Sequence, residues 1–439
     1  MKNDRSPISR RNFLKTSSAF AGISILPGHI WASSPNSKLQ IAQVGVGGRG
    51  RGNLESLLQL PNIQMVGFCD VDKNNLEKAV GLVPGTNTFR DYRQLFDDMD
   101  KDIDAVLVAT PDHMHGPIAL AAMERGKHVY CEKPLAHNVA ENRKLNKESQ
   151  KRGLVTQLGI QVSSSIGQRM TVEYIRSGLI GKVSEVHVWS HKKWGRNEES
   201  LPSIPYAVPY ALDWNLWLGV ASTRAYLDGV YHPGQWRRML DFGTGTLGDM
   251  GVHIFDTPYR ALKLTAPKRA ISDCRNPNGF AHPGDVRVEY SFASTKYTTK
   301  NLKWIWYDGD YAPPADIPGF TLPEGHEMPK QGCVMIGEKG NLMMPHTSGP
   351  RTYPPELIRS VPVPQLEPND HHGEWVDACL GTGKTRSPFS FGGPLCEALQ
   401  LGVVASRFPG QELKWNAKSM KVTNLKAANQ FLEREYRVF

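Results

Sequence analysis

Leu39-Gln40-Ile41-Ala42-Gln43-Val44-Gly45-Val46-Gly47-Gly48-Arg49-Gly50 sets a short apolar run directly before a Gly-x-Gly-x-x-Gly turn, and Asp70 closes the next apolar run. That order of strand, turn, helix, strand and acid is the one a dinucleotide requires. Gly45 allows the tight turn, Gly47 lets backbone N–H groups approach a pyrophosphate, and Gly50 lets the helix pack closely on its strand. Gly45, Val46, Gly47, Gly48, Arg49 and Gly50 are therefore the expected phosphate cradle, with the partial positive charge of the helix N-terminus behind it. Asp70 is expected to accept hydrogen bonds from the adenosine ribose and to repel a 2′-phosphate, which favours NAD over NADP. Arg49 and Arg51 pull the other way, because a guanidinium pairs with phosphate.

Outward from the turn, strands and helices alternate. A helix is expected over Asp72 to Val80, a doubly covered strand over Ile103 to Ala109 and a helix over His115 to Arg125. A strand over His128 to Cys131, a helix over Asn138 to Lys151 and a strand over Leu154 to Ile160 follow. Residues 39–157 thus read as an N-terminal Rossmann domain of α/β class, a doubly wound parallel sheet with its ligand crevice at the carboxyl ends of the strands. Thr110-Pro111-Asp112 and Glu132-Lys133-Pro134 fall at two of those ends.

Residues 158–439 change texture. Val186 to His191, Val286 to Phe292 and Asn301 to Tyr307 are strand-like, and Cys333 to Gly337 with Asn341 to Met344 reads as a hairpin around Glu338-Lys339-Gly340. An α+β domain with an open, largely antiparallel or mixed sheet and helices on one side is expected, serving substrate binding and oligomerisation. Asn197 to Arg237 has four prolines among several aromatics and no sustained period, so it reads as a long ordered loop walling a pocket. Tyr231, His232, Trp236 and Arg237 are its candidates for substrate contact, since aromatic faces pack on apolar sugar faces.

Residues 1–34 read as an address label. Ser9-Arg10-Arg11-Asn12-Phe13-Leu14-Lys15 precedes a mild apolar stretch too short to span a bilayer, the pattern of twin-arginine export to the periplasm or beyond. Their removal lowers the formal net charge from +9 to +5. That modest charge, with no Lys/Arg-rich run, argues against nucleic acid and suits a neutral or anionic small molecule. Six cysteines lie scattered with no Cys-x-x-Cys spacing, and Cys69 and Cys131 read as small core residues. No metal is expected, since His113-x-His115 and His371-His372 have the wrong setting for a closed zinc site.

Chemistry enters at two places. Lys133, at a strand end in the crevice, brings an ammonium to a substrate hydroxyl or carbonyl beside a nicotinamide. Asp249 and His253, four apart on one helix face, bring a carboxylate and an imidazole to the same ligand. Thr244 or Thr246 is expected to cap that helix and Pro258 to kink or divide it.

The glycine turn, Ala109-Thr110-Pro111-Asp112 with His115, Glu132-Lys133-Pro134 and the Asp249–His253 pair occur in the order of the Gfo/Idh/MocA oxidoreductases, a family named for glucose–fructose oxidoreductase and inositol dehydrogenase, which the chain resembles over roughly residues 39 to 430. Exported, twin-arginine-targeted members carry a stretch similar to Trp236 to Gly251. The resemblance implies Lys133 and His253 as the catalytic pair and Asp249 as the group orienting substrate. It also implies His115, Glu132 and Gln161 near the nicotinamide or its ribose, and a homodimer or homotetramer built on the open sheet.

If the chain folds around its dinucleotide before export, the cofactor stays bound through turnover, so a self-contained redox cycle on a sugar, glycoside or polyol hydroxyl is expected. Two other readings stand beside it: a redox-assisted glycoside hydrolase or lyase using bound NAD, and a non-catalytic carbohydrate-binding protein. One exported branch of the family cleaves glycosides through transient oxidation. That branch carries a Thr-His pair where this chain has Asp249 and His253, and the departure favours dehydrogenase chemistry here.

Overall fold

The computed structural model describes residues 38–439. The twin-arginine segment lies outside the described residues. Strands and helices alternate as β1 (Leu39–Val44), α1 (Gly48–Leu57), β2 (Ile63–Cys69), α2 (Lys73–Val80), β3 (Asn87–Phe89) and α3 (Tyr92–Met99). The second half of this unit is β4 (Ala105–Val108), α4 (Asp112–Glu124), β5 (His128–Glu132), α5 (Val139–Arg152) and β6 (Thr156–Gly159). The six strands form one parallel sheet in the order β3-β2-β1-β4-β5-β6. Every residue of β4 is buried, as a strand covered by helices on both faces must be. Asp72, Asp91 and Asn138 cap α2, α3 and α5 with their side chains, which explains where those helices begin.

The chain continues through α6 (Ile166–Arg176), β7 (Val183–Ser190), α7 (Trp214–Leu218), α8 (Gly245–Ala261), β8 (Arg269–Cys274), β9 (Val286–Ser291) and β10 (Thr298–Asp308). It ends with β11 (Gln331–Gly337), β12 (Gly340–Pro345), β13 (Arg351–Tyr353), α9 (Glu356–Arg359), α10 (His371–Cys379), α11 (Phe389–Ala405), β14 (Leu413–Asn416) and β15 (Lys421–Val422). Nine strands pair in the order β13-β12-β11-β7-β10-β9-β8-β14-β15. The sheet is mixed, as expected: β7 and β10 are parallel and the other pairs antiparallel.

α8 and α11 cover one face of the nine-stranded sheet, over Trp304, Trp306, Val288 and Tyr290. On the other face Trp189, Tyr307 and Val334 pack with Ile317 and Phe320 of the following loop. α11 also packs on α5, where Asn142 Nδ2 donates to Gln400 Oε1 at 2.8 Å and Arg143 forks onto both Glu397 oxygens at 2.7 Å. These contacts tie the two sheets together and fix the crevice between them.

Two local expectations fail. Pro258 does not divide α8, which runs unbroken from Gly245 to Ala261, because the proline falls in its last turn where one lost hydrogen bond is tolerated. Thr244 stands at the N-cap position without capping, since its hydroxyl donates to Asp112 Oδ2 at 2.8 Å instead. Thr246 does not cap either: its oxygen accepts from Trp194 N at 2.8 Å.

Candidate functional site: a dinucleotide crevice ending on a lysine–aspartate pair

Gly45 holds φ +85°, and a Cβ on it would stand 2.5 Å from Ala109 O, just past the end of β4. A Cβ on Gly50 would stand 2.1 Å from Gly45 O, so the helix reaches its strand only because that residue has none. Gln43 Nε2 donates to both Gly45 O and Gly50 O, at 3.0 and 2.7 Å, and pins the turn from beneath. No side chain caps α1, so its first-turn amides stay available to an anion.

Asp70 takes a role the sequence reading did not foresee. Its Oδ2 accepts from Val46 N at 3.0 Å and Gly47 N at 3.3 Å, and its Oδ1 accepts from Asp72 N at 2.9 Å. The carboxylate braces the glycine turn while still lining the cavity. Burial raises its pKa, and the amides of Asp72 and Val46 oppose that rise.

A cavity of about 420 Å³ runs along the carboxyl ends of the first sheet. Gly45, Gly47, Gly48 and Arg49 line it beside Asp70. Thr110, Pro111, Asp112, His115 and Glu132 line it further along, Lys133 and Arg237 stand together at one end through Asp249, and His232 and Trp236 line it as well. His115 spans Pro134 O and Thr110 O at 2.7 and 2.8 Å, tying the ends of β5 and β4 together. His232 Nε2 lies 3.3 Å from Asp72 Oδ2.

Other expected site residues stand elsewhere. Tyr231 is not a pocket wall: it is buried against Trp217 and Phe242 in an aromatic cluster, because the long loop builds its own core. Val46 points into the core, and Gly50 lies behind the turn. Gln161 sits behind Glu132, donating to its Oε1 at 2.7 Å and to Tyr130 Oη at 2.7 Å. Glu132 Oε1 also accepts from Asn53 Nδ2 at 2.9 Å and pairs with Arg49 Nε at 3.3 Å. Burial would raise the Glu132 carboxyl, but Arg49 and Asn53 outweigh it and hold the group below its ordinary value.

Lys133, just past β5, reaches across to α8. Its Nζ lies 2.6 Å from Asp249 Oδ1 and 3.0 Å from Asp249 O, and Arg237 Nε lies 3.1 Å from the same Oδ1. Burial disfavours the Asp249 charge, yet Lys133 and Arg237 hold its carboxyl well below the usual range. Asp112 has fewer compensating partners, and burial pushes it up to about 6 against the pull of His115 and Lys133.

His253 lies one turn beyond Asp249 with a buried Nδ1 that has no protein partner. Burial and the Lys133 charge hold its imidazole well below the ordinary value, so it is neutral at pH 7. Neither Asp249 nor His253 lines the cavity directly; they stand behind Lys133 and Arg237. His346, after β12, escaped the sequence reading, although it directly follows the expected hairpin. Its ring centroid is 5.4 Å from that of His253, its Nδ1 is also buried without a partner, and burial with Lys192 and Lys133 lowers its pKa to about 4. Asn53 was missed as well; its place one turn after Gly50 is the signal that puts it on the inner face of α1.

Comparison with known proteins gives this geometry a family. Residues 39–160 match the Gfo/Idh/MocA model described as an oxidoreductase family with an NAD-binding Rossmann fold. Residues 170–275 match the model of that family's C-terminal alpha/beta domain. Levoglucosan dehydrogenase of Pseudarthrobacter phenanthrenivorans is 28% identical over 170 residues, 39% of this chain and 35% of that protein. A glycosyl hydrolase family 109 protein of Stenotrophomonas maltophilia is 29% identical over 188 residues, 40% of each chain. The chain thus spans well under half the length of these two relatives. Among solved structures, GenD2 from gentamicin A biosynthesis in complex with NAD superposes with a TM-score of 0.60 at 17% identity, covering 89% of this chain and all of that one. The fold is shared, and the two family models together cover about half of the sequence: the chain belongs to the Gfo/Idh/MocA oxidoreductases.

Proposed function

We propose that this protein is an exported oxidoreductase that holds NAD tightly and oxidises a hydroxyl of a sugar, glycoside or polyol. The observation that carries the reading is the Lys133–Asp249–Arg237 cluster at one end of the crevice whose middle is the glycine turn. The residues fit a dinucleotide: two glycines have no room for a Cβ, uncapped helix amides face the cavity, and Asp70 stands on the side expected for the adenosine ribose. Asp70 favours NAD over NADP. Gly45, Gly47, Gly48 and Arg49 would hold the pyrophosphate, with Thr110, Pro111, Asp112, His115 and Glu132 along the rest of its length. When bound, the nicotinamide supplies the hydride acceptor.

The chain's own groups handle the proton. Lys133 Nζ donates a hydrogen bond to the reacting hydroxyl oxygen, and Asp249 fixes that ammonium in place. As the carbonyl forms, Lys133 takes up the hydroxyl proton while passing one of its own to neutral His253 behind it. Trp236 offers an apolar face to the ring, and Arg237 fixes its polar edge. Export rests on the Ser9 to Lys15 pattern, and oligomerisation into a dimer or tetramer rests on the open nine-stranded sheet.

The test is to purify the mature chain, measure bound nucleotide and follow reduced-nicotinamide absorbance on adding a panel of sugars and polyols. Reduction by one of them, lost in Lys133→Ala, is expected; a chain that neither carries nor takes up dinucleotide sinks the proposal. The similarity to a glycosyl hydrolase family 109 protein favours a second reading, redox-assisted glycoside cleavage. Glycoside cleavage without net cofactor change would select it.

A further inference from the structure

Residues 432–439 return from the far edge of the nine-stranded sheet to the first domain and are fastened there at successive points. Leu432 O accepts from Ala140 N at 3.0 Å, at the start of α5. Arg434 Nε and Tyr436 Oη both reach Glu141 Oε1, at 3.3 and 2.8 Å, and Arg434 also donates to His113 O on α4. Arg437 N donates to Val220 O and its Nε to Gly219 O, each at 3.0 Å, after α7. Phe439 then lies under the guanidinium of Arg93, whose Cζ is 4.3 Å from the ring centroid, and its carbonyl accepts from the same arginine. Phe439 lines the same cavity as Gly47, Asp70 and Tyr92.

Sheet order says which end of the crevice this is. β2 and β3 lie on one side of β1, and β4 and β5 on the other. Asp70 after β2 and Tyr92 after β3 therefore border the adenosine half of a dinucleotide, whereas Lys133 after β5 borders the nicotinamide half. Phe439 belongs to the first group.

We propose that residues 432–439 complete the adenosine end of the cofactor site, with Phe439 as its outer aromatic wall and Arg93 as the residue that positions it. The inference rests on the dinucleotide reading above and extends it to cofactor retention. The segment is also bonded to the backbone just after α7, whose Leu216 and Trp217 line the cavity and whose N-cap Asp213 donates its backbone N–H to Val71 O beside Asp70.

The test uses the full chain, freed of nucleotide, with NADH and ADP-ribose as separate probes in fluorescence and calorimetric titrations. ADP-ribose keeps the adenosine half and lacks the nicotinamide. Phe439→Ala is expected to weaken both by about fivefold or more, the scale of one aromatic contact, and to speed NADH release correspondingly. Phe439→Trp, which keeps an aromatic ring, is expected to retain binding within about twofold of wild type. Unchanged affinity in Phe439→Ala overturns the proposal, as does a loss confined to NADH or an equal loss in the Trp variant, which would mark general damage to the fold. A wild-type chain that takes up neither probe overturns the dinucleotide reading itself and this inference with it.

Discussion

Lys133 Nζ sits 2.6 Å from Asp249 Oδ1 and joins the end of β5 to the second turn of α8 through one buried ion pair. Arg237 shares the same oxygen, so one carboxylate balances two cations. Asp249→Ala leaves both cations facing each other, and breaking a pair this buried costs about 3–5 kcal/mol. Urea unfolding is expected to show that loss, and single-turnover hydride transfer is expected to slow about 100-fold. Because the folded pKa of Asp249 is depressed, its contribution is present above the unfolded value and lost as pH falls. The stability gap to Asp249→Ala should therefore persist from neutral pH down to about pH 4 and shrink below it. A gap that stays constant into acid contradicts the ion-pair account.

His253 and His346 should stay neutral well into the acid range. Burial holds both down, with Lys133 next in weight for His253 and Lys192 for His346. The acid limb of kcat/KM is expected below about pH 6.5, the ordinary imidazole value. Both rings must gain a proton on acid unfolding, so their contribution to stability falls as pH drops through that unfolded value. Lys192→Met removes one opposing charge and should raise the His346 titration above about 4, read from its ring-proton shifts in NMR. No movement would show that Lys192 acts elsewhere.

The first sheet was legible because each signal was local: an apolar run, a glycine turn, a capping residue, an acid at a strand end. β3 was not legible, since Asn87–Phe89 is only three residues long and exposed at two of them, whereas α3 carried a usable signal in the spacing of Tyr92, Leu95, Phe96 and Met99 behind the capping Asp91. At the site, Lys133 and Asp249 could be named from their neighbours in sequence, but their 2.6 Å contact joins positions 116 residues apart. The bracing of the glycine turn by Asp70 was not legible, because its partners there, Val46 N and Gly47 N, are backbone groups that no side-chain pattern reports. Tyr231 was misplaced for the opposite reason: an aromatic in a proline-rich loop looks like a pocket wall until Trp217 and Phe242 are found to bury it.

Gly50→Ala tests the close approach of α1 to its strand. The added Cβ meets Gly45 O at 2.1 Å and Gly45 C at 2.9 Å, backbone atoms of the turn itself that have no flexible end to swing aside. Overpacking of this kind costs about 1–3 kcal/mol. The unfolding midpoint should fall accordingly, and NADH binding should be lost at concentrations that saturate wild type. Wild-type NADH affinity in the variant would mean the turn is not the phosphate cradle.

Asp112 gives the opposite pH signature from Asp249, although both are buried acids near Lys133. Burial lifts its folded pKa to about 6, and the Thr244 hydroxyl at 2.8 Å opposes this only in part. For an acid raised on folding, the favourable contribution is complete below the unfolded value of about 4 and is lost as pH rises through the folded one. Asp112→Asn keeps an oxygen for Thr244 and removes the titration. Relative to wild type, the variant should therefore gain stability as pH rises from about 4 to 7, a range over which the Asp249→Ala gap stays flat, as measured by urea midpoints. An offset that is the same at both ends would mean that Asp112 ionises as freely in the fold as in the unfolded chain, and its buried bond to Thr244 would then need another explanation.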